Sequence, residues 1–143
     1  MAVDAHVTLL FPFLAPSSID AAVEASLEEI VGAVPAFDVR FPNVGRFPNV
    51  VWLAPDPVAP FARMTDAVAA RWPDHPPYGG AFEQVVHHLT VADGAPSAVL
   101  DHLESSLPAS LPIRATVREV TLSVRERGTW TVLRRYALRG GVS

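Results

Sequence analysis

Two short stretches carry the residues best suited to chemistry. His6-Val7-Thr8-Leu9 lies near the N-terminus, and His88-Leu89-Thr90-Val91 repeats its pattern about 80 residues later. A strand sends alternate side chains to opposite faces. His6 and Thr8 therefore share one face and His88 and Thr90 share another, while Val7, Leu9, Leu89 and Val91 turn to a core. An imidazole titrates near pH 6.5, so of two facing histidines one can hold a proton while the other accepts one. Hydrolysis of a phosphodiester needs such a pair: a base for the attacking water and an acid for the departing oxygen. Hydroxyls stabilise the charge that gathers on the non-bridging oxygens. Threonine is stiff at χ1 and at home in a strand, so its hydroxyl is well aimed.

The elements that must position these residues follow from periodicity. Asp4 to Phe13 alternates as a strand and ends at Pro12 and Pro16. Ser17 or Ser18 is the expected cap of a helix whose stripe is Ile19, Val23, Leu27 and Ile30, stopped by Gly32 and Pro35. Phe37 to Phe41 and Val50 to Leu53 read as partner strands around the turn Asn43-Val44-Gly45. Val58 to Trp72 reads as a second helix, and a proline-rich loop, Pro73 to Gly80, leads to a strand over Phe82 to Val91. Ser97 to Leu107 reads as a third helix. The alternation beginning at Ile113 shifts phase near Arg118-Glu119, which predicts a bulge or break. Arg127-Gly128 is a hairpin turn, and Trp130 to Leu138 is the last strand.

Each half thus runs strand, helix, strand, strand. The expectation is an α+β protein of two pseudo-symmetric lobes, each with an antiparallel sheet, flanking a central cleft, all within a single domain over 1–143. A pseudo-twofold would bring His6 and Thr8 to His88 and Thr90.

Composition narrows the function. Half the residues are apolar and only 18% are charged, which suits a packed core and not a disordered chain. There is no cysteine, so disulfides, thiolate metal sites and a cysteine nucleophile are excluded. All eleven basic residues are arginine, which excludes a P-loop or Schiff-base lysine. The net charge of −4 argues against duplex DNA as a partner. No apolar run reaches the length of a membrane span and no signal peptide is evident, so the expected location is the cytoplasm. No cofactor and no metal site are expected, because His87 and His88 diverge on a strand.

The paired motifs resemble the two-histidine (2H) phosphoesterase superfamily, and within it the 2′-5′ RNA ligase-like branch. Gly45-Arg46-Phe47-Pro48 ahead of Val51-Trp52-Leu53-Ala54-Pro55, and Pro77-Tyr78-Gly79-Gly80 ahead of the second motif, extend the likeness over nearly the whole chain. The resemblance implies a bilobal fold with both motifs lining the cleft. It also implies metal-independent hydrolysis of 2′,3′-cyclic phosphates or 2′-5′ linkages in nucleotides or short RNA, with weak ligation in some members. His6 and His88 would be acid and base, and Thr8 and Thr90 would hold the phosphoryl oxygens. Two positions depart from the pattern: His87 stands where proline is common, and Asp93 stands near where RNA-processing members carry a basic residue.

Tyr78, Arg46 and Trp130 are the further candidates for substrate binding, Tyr78 and Trp130 as stacking surfaces for a base. Trp52 is assigned to the core, and His87, of opposite parity to His88, to a structural or surface role. A monomer is expected. The alternative function is a non-catalytic RNA- or nucleotide-binding module of the same fold.

Overall fold

A computed structural model describes residues 5–81 and 85–140. The structure contains α1 (Ala21–Gly32), β1 (Phe37–Phe47), β2 (Val50–Asp56), α2 (Ala59–Arg71), β3 (Leu89–Asp93), α3 (Ser97–Ser106), β4 (Ile113–Val117), β5 (Glu119–Glu126) and β6 (Thr129–Ala137). The strands form two antiparallel sheets, one of four strands in the order β3-β2-β1-β4 and one of β5 with β6. The α+β class and the two sheets agree with the periodicity.

The sheets do not divide along the halves of the chain. The β1–β2 hairpin from the first half is flanked by β3 and β4 from the second. Conversely α1, from the first half, packs on β6, at the end of the second. The phase shift at Arg118 is the point where the chain leaves one sheet for the other: β4 ends at Val117 and β5 begins at Glu119. At the β5–β6 turn Arg127 and Gly128 both take positive φ, as a two-residue hairpin requires.

Two clusters make the core. Leu27, Val31 and Val34 meet Met64, Val68, Tyr136 and Leu138 in one, and Val39, Phe41, Leu53 and Phe61 form the other. Helix α2 serves both, because its buried residues Phe61, Met64, Thr65 and Val68 follow the i, i+3, i+4, i+7 stripe of one helix face. Its N-terminal end packs against the four-stranded sheet and its C-terminal end against α1 and β6.

Four local expectations are corrected. The turn expected at Asn43-Val44-Gly45 is strand, paired with Ala54, Leu53 and Trp52, and the hairpin turns at Pro48-Asn49 instead. The N-terminal strand is reduced to one bridge, at Val7; Asp4 lies outside the described residues. The backbone beyond Val7 finds other partners, since the Leu9 carbonyl accepts from Thr65 and the Phe11 carbonyl from the Tyr78 amide. The cap of α1 is Asp20, whose side chain accepts from the Val23 amide at 2.9 Å, because Pro16–Ser18 forms a separate 3₁₀ turn. The second motif's strand starts only at Leu89. Val85 to His88 is irregular, and the expected strand residues Phe82 to Gln84 lie outside the described residues.

Candidate active site

The two motifs meet through a single antiparallel bridge between Val7 and Leu89. Residues opposite one another across such a pair share a face. Val7 and Leu89 point into the core cluster built on Leu53 and Phe61. His6 then stands across from Thr90, and Thr8 across from His88, all four on the other face. His6 and Thr90 are exposed, and Thr8 and His88 half-buried.

The neighbouring strands extend this face. Leu53 pairs with Leu89 on the core side, and Trp52 pairs with Thr90 on the open side. Between Val51 and Trp52 the register shifts, and the additional β3 residue, Val91, is exposed. On β1, Gly45 faces Trp52. A Cβ at Gly45 would collide with the indole, so only glycine lets that ring lie across the strand. Trp52 is therefore not a core residue. Its ring packs on Phe47 at 4.9 Å and on His88 at 5.8 Å, and Phe47 meets His88 edge-on at 5.3 Å. Sequence periodicity missed Phe47 and Trp52 as neighbours of the site, although the parity of Trp52 against its buried neighbours Val51 and Leu53 carried the signal.

His88 has a fixed tautomer. Its Nδ1 lies 2.7 Å from the Val86 carbonyl oxygen. A carbonyl can only accept, so Nδ1 carries the proton and, in the neutral ring, Nε2 does not.

His87 turns the other way, as strand parity predicted, and is buried. Its Nε2 lies 2.8 Å from the Thr65 hydroxyl, and its ring stacks on Phe61 at 6.2 Å. Burial pushes its imidazole below the usual histidine value. His87 is thus turned away from His88, and no three potential ligands converge as a metal site among the described residues.

The other candidates separate. Arg46 lies on the covered face, opposite Val51, where its guanidinium meets Asp101 at 3.0 Å and Glu104 at 2.9 Å on α3. It does not share the face of His88 and Thr90. Those two carboxylates raise its pKa further. Tyr78 and Trp130 do converge, on Phe11, three residues beyond Thr8. The Tyr78 amide donates to the Phe11 carbonyl, and Trp130 meets the Phe11 ring edge-on at 6.0 Å. Arg125 lies over the other ring of this pair, 5.9 Å from the Trp130 centroid. Burial raises the Tyr78 phenol above its usual range. No helix among the described residues is long and apolar enough to cross a membrane.

A model of the 2′-5′ RNA ligase superfamily matches residues 2–129. No curated protein sequence matches significantly. Among solved structures, apo LigT of E. coli is 26% identical with a TM-score of 0.60, over 95% of this chain and 77% of LigT. LigT complexed with 3′-AMP gives 27% identity and a TM-score of 0.56, over 94% of this chain and 77% of that one. TT0787 of Thermus thermophilus shares the fold at a TM-score of 0.65 and 20% identity, over 94% of this chain and 78% of TT0787.

Proposed function

The chain belongs to the 2′-5′ RNA ligase superfamily, and from that premise we propose that it is a metal-independent phosphodiesterase of the 2H type. Its substrates on this reading are 2′,3′-cyclic phosphates or 2′-5′ linkages of nucleotides and short RNA. The observation that carries the reading is the Val7–Leu89 bridge, which joins the two motif segments and supports a shared face for both histidine–threonine pairs. Nucleotide binding by LigT, crystallised with 3′-AMP, NADP+ and ATP, supports the substrate class.

On this reading each motif residue has a role. His88, with its Nδ1 proton held by Val86, presents a bare Nε2 and takes the proton of the attacking water. As it becomes imidazolium, the Val86 carbonyl steadies the charge. The new P–O bond forms, the opposite ester P–O bond breaks, and His6 protonates the oxygen that leaves. Thr8 and Thr90 donate to the non-bridging oxygens as their charge grows. The stack of Phe47 and Trp52 keeps water from one side of His88, and Tyr78 and Trp130 offer a stacking surface for a base. Asp93, exposed at the end of β3, brings negative charge near the second motif, so hydrolysis is favoured over ligation.

The test is hydrolysis of 2′,3′-cyclic nucleotides and of a 2′-5′ dinucleotide in the presence of EDTA. Wild-type protein turns over at least one of them, and His6→Ala and His88→Ala each abolish turnover with an unchanged circular dichroism spectrum. A p-nitrophenyl ester needs no protonated leaving group, so it restores activity to His6→Ala and not to His88→Ala. Saturable binding without turnover of any such substrate would turn the reading toward a binding module.

A further inference from the structure

We propose that Thr65 and His87 form a clamp that fixes the position of one histidine–threonine motif relative to the other, and that both act as positioning residues for the reaction. The inference rests on the reading of His6, Thr8, His88 and Thr90 as the site. It adds two residues that touch neither substrate nor reacting atoms.

One hydroxyl joins both motif segments. Thr65 Oγ1 lies 2.8 Å from the Leu9 carbonyl oxygen and 2.8 Å from His87 Nε2. The carbonyl can only accept, so the hydroxyl proton goes to Leu9. The same oxygen must then accept from His87, which therefore carries its proton on Nε2. The chain of donors runs in one direction, His87 to Thr65 to Leu9. Leu9 follows Thr8, and His87 precedes His88, so each end of the clamp is one residue from a motif threonine or histidine.

The position of the clamp is unusual for a polar pair. Thr65 is 2% exposed and His87 6% exposed, at the level of α2 where Phe61 and Met64 fill the two core clusters. Apolar side chains of the same size would fill this space and leave only the Leu9 carbonyl to satisfy. What they would not supply is direction. A hydrogen bond fixes which atoms face each other, whereas apolar contact tolerates sliding. Sliding matters here because the motif segments share only one ladder position among the described residues, Val7 with Leu89. Two loosely paired segments held at both flanks by one buried hydroxyl keep the four site residues in register. A displacement of about 1 Å at a reacting group is enough to cost on the order of a hundredfold in rate.

Variants separate positioning from mere packing. Thr65→Val removes the hydroxyl at nearly constant shape and is expected to lower kcat by roughly tenfold or more, with KM changed little. Thr65→Ser keeps the hydroxyl and retains most of the activity. The double variant Thr65→Val/His87→Phe leaves the Leu9 carbonyl without its donor but no unpaired imidazole, so its thermal midpoint lies above that of Thr65→Val while kcat stays low. Recovery of kcat together with stability in the double variant would overturn the clamp, as would a wild-type kcat in Thr65→Val. Amide hydrogen exchange provides a readout independent of turnover: Thr65→Val exchanges faster at residues 7–9 and 88–90, and Thr65→Ser does not. Unchanged exchange in Thr65→Val would also overturn the clamp. If the wild type hydrolyses nothing, the proposed function fails while the exchange result still decides the clamp.

Discussion

The adjacent histidines at the second motif face opposite ways. His88 faces outward with Nδ1 tied to Val86, and His87 faces inward with Nε2 donating to Thr65. Their separation follows from strand-like alternation even though the backbone there is irregular. The burial of His87 has a consequence for stability. Its imidazole is pushed below the ordinary value of 6.5 chiefly by burial; nearby Asp66 opposes the shift and His88 adds to it. In the unfolded chain His87 takes up its proton at the ordinary value. As pH falls below about 6.5 the unfolded state therefore binds more protons than the folded one, and stability declines. The contribution levels off once pH is below the folded value. Urea midpoints at pH 7.5 and 5.0 are expected to fall more for wild type than for the Thr65→Val/His87→Phe variant. Equal losses in the two proteins would show that His87 does not drive the acid sensitivity.

Among the elements, β1 and β2 do the most to shape the face around His88. Gly45 permits the Trp52 ring to lie across β1, and that ring in turn borders His88. Gly45→Ala is expected to force the indole aside, since an added Cβ would overlap it. Overpacking of this kind costs about 1–3 kcal/mol. The expected readouts are a lower thermal midpoint, a shifted tryptophan emission and a reduced kcat. An unchanged emission spectrum would show that the ring is not held there. Helix α3 provides a contrast. Arg46 reaches Asp101 and Glu104 on that helix, so its charge serves docking of α3 on the hairpin. Arg46→Ala is expected to lower the thermal midpoint and leave KM for a cyclic nucleotide unchanged; a rise in KM alone would return Arg46 to the substrate.

At the scale of the whole molecule the two halves are interleaved. The core of α1 is completed by Tyr136 and Leu138, and β1 is completed by β4. A fragment ending at residue 74 is therefore expected to show no cooperative unfolding transition by calorimetry, whereas independently folding halves would show one. Local pattern in the sequence already determined the α+β class, the second and third helices to within a residue and the first to within about three, the hairpin at Arg127-Gly128, and the two motifs whose parity faces a core on one side. These depend on spacing within a few residues, which side-chain alternation and helical period express directly. It also separated His87 from His88, for the same reason. What it left open were the contacts between distant segments. The pairing of Val7 with Leu89, the destination of Arg46 on α3, the convergence of Tyr78 and Trp130 on Phe11, and the use of one Thr65 hydroxyl by Leu9 and His87 all join residues far apart in the chain. No local period encodes such meetings. They were decided by how two sheets and a shared helix bury their apolar faces together, which fixes the neighbours of every polar group caught between them.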